Sequence, residues 1–83
     1  MAVSVENIRE WLEEGMKSNA THMIVVCDTF DWEDYPVYVY KDENVREEYF
    51  KHNGVDMQKV MEVYSFNHDI EKQIAEFRAF HFD

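Results

Sequence analysis

The side chains with most chemical potential in this chain are carboxylates set among aromatics. From Asp28 to Pro36 the order is Asp28-Thr29-Phe30-Asp31-Trp32-Glu33-Asp34-Tyr35-Pro36, with four carboxylates, three aromatics and no base. Exposed rings leave apolar area in water, and Trp and Tyr are enriched where proteins bind one another. The stretch therefore reads as a recognition loop, with Asp28, Phe30, Asp31, Trp32, Glu33, Asp34 and Tyr35 as its binding residues. The competing reading folds Phe30 and Tyr35 back onto the core and leaves the acids in solvent. A calcium loop would need a glycine at its sharp turn and a bidentate acid at its end, and neither stands at the right spacing.

Other chemistry is poorly represented. Cys27 is the only cysteine, which excludes an internal disulfide and a multi-cysteine zinc site. Its neighbours Val25 and Val26 make it read as a small core residue. His22, His52, His68 and His81 show no zinc-ligand spacing, so no metal site is expected. Phosphate loops, nucleophile elbows and dinucleotide fingerprints are missing, and the only glycines are Gly15 and Gly54. No catalytic residue and no cofactor can be assigned, and the expectation is a protein that is not an enzyme.

A second group of acids lies on helices. Glu6, Glu10, Glu13 and Glu14 share one arc of an N-terminal helix, and Glu43, Glu47 and Glu48 gather near a second. Together with the loop acids they could form one negative surface that imitates nucleic acid. The alternative is that they are ordinary solvated helix faces. The net charge of −10, from 18 acids and 8 bases, opposes binding to nucleic acid or to an anionic membrane. It favours a protein partner with a basic surface.

Helices and strands must position these groups. Ser4 can cap a helix on which Val5, Ile8, Leu12 and Met16 share one face, with Gly15 and Asn19 as stop signals. Met23-Ile24-Val25-Val26-Cys27 is a short apolar run rich in β-branched residues, which argues for a buried strand within 21–29. A second strand is expected over 37–41, Val37 and Val39 facing one way, Tyr38 and Tyr40 the other. Asn44 and Glu47 have capping-box spacing for a helix ending at Asn53-Gly54. A third strand is expected over 58–66, with Met61 and Val63 on one face and Val60, Glu62 and Tyr64 on the other. Asn67 would cap a last helix with an inner stripe of Ile70, Ile74, Phe77 and His81.

The fold class expected is α+β, one domain over 1–83, in the order α-β-β-α-β-α with a three-stranded, mostly antiparallel sheet packed by helices. Its expected core is Ile8, Leu12, Ile24, Val26, Val39, Val63, Ile74 and Phe77. The 13 aromatics exceed what a chain of 83 residues readily buries, so a tyrosine face is expected to pair two copies as a homodimer. A signal-peptide pattern is missing, and the longest apolar run has five residues, which points to a cytoplasmic, non-membrane protein.

The segment THMIVVCDTFDWEDYPVYV from Thr21 to Val39, with VMEVY at Val60 to Tyr64, resembles a group of small uncharacterised proteins of bacteriophage and bacterial genomes. The resemblance implies a phage or mobile-element setting, where small acidic proteins often inhibit or sequester host proteins. It implies no site residues. The resulting expectation is a non-catalytic acidic protein that binds and modulates a host protein, including one that itself binds nucleic acid. The alternative is a small-ligand module that stacks a nucleotide-like molecule on Trp32, Tyr35, Tyr38 and Tyr40.

Overall fold

The computed structural model describes residues 4–55, 57–76 and 78–83. The elements follow the expected order: α1 Val5–Lys17, β1 His22–Asp28, β2 Glu33–Val39, α2 Val45–His52, β3 Gln58–Ser65 and α3 Ile70–Ala75. The three strands form an antiparallel sheet in the order β2-β1-β3. β2 and β3 thus run parallel to each other on either side of β1, and α2 carries the chain between them.

The central place of β1 explains its unbroken apolar run. A strand paired on both edges and covered on both faces has no solvent side, so alternation is not required. Met23, Ile24, Val25 and Val26 are all fully buried. Met23 and Val25 pack under α1 and α3 with Ile8, Leu12 and Tyr64. Ile24 and Val26 pack on the opposite face with Val39, Val60 and Val63, covered by Val45 and Tyr49 of α2 and by Phe82. The expected core residues Ile8, Leu12, Ile24, Val26, Val39 and Val63 are buried there, whereas Ile74 is only partly buried and Phe77 lies outside the described residues.

Four details depart from the sequence reading. β2 begins at Glu33, four residues earlier than expected, because Pro36 is tolerated inside an edge strand. In β3 a bulge falls opposite Val25 and Val26, so Met61 is an extra residue. Val60 and Val63 therefore share one face, and Met61 and Tyr64 the other, against simple alternation. Asp69, not Asn67, caps α3, and the helix stops at Ala75, leaving His81 beyond it.

Gly15 is no stop signal either. It lies buried inside α1, where a Cβ would come within 2.6 Å of Phe66 and 3.0 Å of Tyr38. Asn19 supplies the stop, at φ 63°. The Ala20 amide donates to the Gly15 carbonyl at 2.9 Å and the Asn19 amide to the Met16 carbonyl at 3.2 Å, the Schellman pattern. Among the described residues no helix is long and apolar enough to cross a membrane.

Candidate interaction surface

The stretch expected to be one long loop is mostly strand. Asp28, Asp34 and Tyr35 stand in register with Glu33, Cys27 and Val26 respectively, leaving only Thr29–Trp32 as the connection. Four residues without glycine must reverse the chain, and Asp28 makes that possible. Its Oδ1 accepts from the Phe30 amide at 2.8 Å and the Asp31 amide at 3.4 Å. The side chain thereby replaces backbone partners, which is what Asp does well in a turn. Trp32 closes the loop at φ 58°, its amide donating to the Asp28 carbonyl at 2.6 Å. That left-handed conformation is normally given to Gly, Asn or Asp.

The expected binding residues divide accordingly. Phe30 is 71% exposed and Trp32 61%, with exposed Asp31 and Glu33 beside them. Asp28 holds the turn together. Tyr35 does fold back, packing against the α2-side core. Burial pushes its phenol up, and the nearby Asp28 charge adds to that. Asp34 is partly buried against Cys27, whose thiol is pushed up chiefly by desolvation and secondarily by that carboxylate. A thiol held protonated is a poor nucleophile.

A neighbouring turn meets this tip. The Met57 carbonyl accepts from both the Thr29 amide and the Thr29 hydroxyl, each at 2.7 Å. Met57 is itself left-handed, at φ 62°, and 59% exposed, with Val55 44% exposed nearby in sequence. The sequence reading missed these two. The signal that could have found them is the apolar pair Val55 and Met57 in a connection after Gly54.

Of the α1 acids, Glu13 and Glu14 face other parts of the fold. Glu14 lies close enough to Tyr38 to help raise the tyrosine's pKa, after burial as the main cause. From Tyr38 to Trp32 is six residues of hairpin, about 20 Å of extended chain. Glu13 belongs to a third place, a groove of ≈ 240 Å³ between α1 and α3. Leu12, Met16, Ile70 and Ile74 line it, and the Arg9–Glu71 ion pair, at 2.6 and 2.8 Å, crosses the same wall. Glu10, Glu13 and Glu14 are exposed on α1.

Of the tyrosine face expected to pair two copies, Tyr38 is covered within the fold and Tyr40 is 38% exposed. Tyr38 packs beneath α1, and its hydroxyl donates to the Trp11 carbonyl at 2.6 Å. Tyr40 donates to the Ser18 hydroxyl at 3.2 Å. Trp32, Tyr35, Tyr38 and Tyr40 thus do not converge on one stacking site: Tyr35 and Tyr38 lie on opposite faces of the sheet. Among the described residues no group of three or more His, Cys, Asp or Glu is arranged to hold a metal ion.

Protein-family models, curated proteins and solved structures yield no match to this chain.

Proposed function

We propose that this is a non-catalytic interaction protein that binds a partner protein with a basic surface through the β1–β2 hairpin tip. The observation that carries this reading is the exposure of Phe30 (71%) and Trp32 (61%) on a turn braced by Asp28 and flanked by Asp31 and Glu33. A fold of this size gains most by burying large rings. Two rings this exposed on a well-bonded turn offer apolar area to a partner. The surrounding carboxylates and the charge of −10 select a cationic partner and repel nucleic acid. Modulation or inhibition of a host protein in the cytoplasm, in a phage-like setting, is the biological form we propose for this binding.

The small-ligand alternative has less support. Small-molecule sites are usually concave and about 300–1,000 Å³. The α1–α3 groove, at ≈ 240 Å³, has no aromatic lining among the described residues, and Phe30 and Trp32 stand at a hairpin end.

The test is capture from lysate of a bacterial host with the wild type, Phe30→Ala and Trp32→Ala, alongside thermal melting of each. Loss of a hot-spot ring costs about 2 kcal/mol or more in affinity. The expected result is a captured protein retained by the wild type and lost by both variants, with melting little changed. Equal capture by all three proteins would remove the tip as the binding element.

A further inference from the structure

We infer that the two turns at this end of the sheet form one binding surface, and that its occupant is a protein segment carrying an apolar side chain flanked by lysine or arginine. The inference rests on the interaction reading above and extends it to a second turn and to the chemistry of the bound segment.

The two turns are joined by Thr29. Its amide and hydroxyl both bond the Met57 carbonyl at 2.7 Å, so the tip is tethered to the connection before β3. The pairing of Asp28 with Gln58 continues the same contact into the sheet. Phe30, Trp32, Val55 and Met57 are all large, apolar and exposed, at 71, 61, 44 and 59%. Two of them, Trp32 and Met57, sit at positive φ without being glycine. Glycine would occupy either place with less strain, and a polar residue would cost less in water. Strained non-glycine residues persist where the surroundings fix them and concentrate at functional sites. Here both strained residues display large apolar side chains at the same end of the molecule.

Charge chooses the occupant. Asp31 and Glu33 are exposed on the tip, in a chain of net charge −10. A second copy would bring the same acids into opposition. An apolar membrane-binding surface would normally carry bases toward anionic lipid, and this one carries acids. A cationic segment with one apolar anchor satisfies both the rings and the collar. The anchor would supply affinity, and the flanking cations would supply approach rate and orientation.

The experiment uses the full chain labelled with ¹⁵N and three short peptides: alternating lysine and leucine, lysine alone, and leucine spaced by glycine and serine. Amide shifts are recorded at physiological salt for the wild type, Trp32→Gly and Met57→Gly. The expected result is joint movement of amides 29–33 and 54–58 with the lysine–leucine peptide, about tenfold tighter than with either control, a difference of about 1.4 kcal/mol. Each glycine variant should weaken that binding about tenfold while melting at the same or a higher temperature, because the strain is relieved. Movement confined to 29–33, with Met57→Gly binding as the wild type does, would overturn the two-turn surface and leave the tip reading standing. Movement confined to α1 around Glu10, Glu13 and Glu14 would overturn both. Equal binding of the three peptides, or of none, would overturn the stated chemistry. Markedly lower melting in both glycine variants would make these side chains supports of the fold and would also overturn it.

Discussion

His22 shows what a single side chain carries in this fold. It lies in β1 at 7% exposure between Val39 and Ser65. The Thr21 hydroxyl lies 3.1 Å from the Val39 carbonyl and 3.0 Å from His22 Nδ1. Nε2 is buried with no hydrogen-bond partner among the described residues. Desolvation lowers the imidazole pKa below its ordinary 6.5, opposed by the backbone of Phe82 and Asp83 and by the Asp83 charge, and helped by His68. Well above pH 6.5 the ring is neutral whether the chain is folded or not, and pH has no hold on stability through it. Below 6.5 the unfolded chain takes up the proton first, so stability falls until the folded ring titrates too. Urea unfolding at pH 7.5 and pH 5.5 should therefore show the wild type losing stability relative to His22→Phe. A constant difference between the two proteins would remove the linkage. Gln73 is the polar counterpart. It is 2% exposed, and its amide bonds both the Ser65 amide (2.7 Å) and the Ser65 carbonyl (2.8 Å). Gln73→Ala would take the acceptor from the buried Ser65 amide and leave the Ser65 carbonyl only the His68 amide, at 3.4 Å, and should cost about 1–3 kcal/mol in urea unfolding. Ile74→Ala, at a partly buried site, should cost less, about 1–2 kcal/mol, below the usual range for a fully buried position.

At the scale of elements, helix α1 depends on a position that lacks a side chain. Alanine is the better helix former by about 1 kcal/mol, so Gly15→Ala would stabilise an isolated helix. In the fold, the added Cβ would meet Phe66 at 2.6 Å and Tyr38 at 3.0 Å. Tyr38 is held by its bond to the Trp11 carbonyl, so Phe66 must move or α1 must lift. Overpacking of this kind typically costs about 1–3 kcal/mol, enough to reverse the helix gain. Gly15→Ala should thus lower the melting temperature, and a rise would show that Phe66 yields freely. The β1–β2 hairpin depends in the same way on Asp28. Asp28→Ala removes the acceptor for two loop amides and should destabilise by about 1–2 kcal/mol. It should also loosen the tip, weakening partner capture even though Asp28 itself faces the turn.

The whole molecule has to stay compact against its own charge. The Cα radius of gyration is 11.8 Å, and about 12 Å is ordinary for a folded chain of this length. Compactness therefore holds despite a net charge of −10. Self-repulsion of that size is screened by salt, with a Debye length of about 10 Å at 0.1 M and about 3 Å at 1 M. Melting temperature should rise between low salt and about 0.5 M sodium chloride as repulsion is screened. Association with a basic partner should move the other way, slowing as salt rises, because long-range attraction mainly sets the on-rate. A melting temperature indifferent to salt would show that the charge is already neutralised by local arrangement.

Local signals in the sequence determined the order of elements, the helix starts at Ser4 and Asn44, the buried nature of β1 and most of the core. Caps and short apolar runs act over a few neighbouring residues, so one chain position carries its own evidence. Tertiary structure alone decided the placement of β3 against the free edge of β1, the bulge at Met61, and the role of Gly15 as a contact. It also decided the candidate surface. The acids and aromatics of 28–35 were legible as a group, but the pairing of β2 with β1 sent Tyr35 inward and left Phe30 and Trp32 outside. Met57 joined them across 25 residues of sequence only because β1 and β3 are hydrogen-bonded neighbours. Strand pairing depends on edges and registers far apart in the chain, and no periodicity within a single segment encodes them.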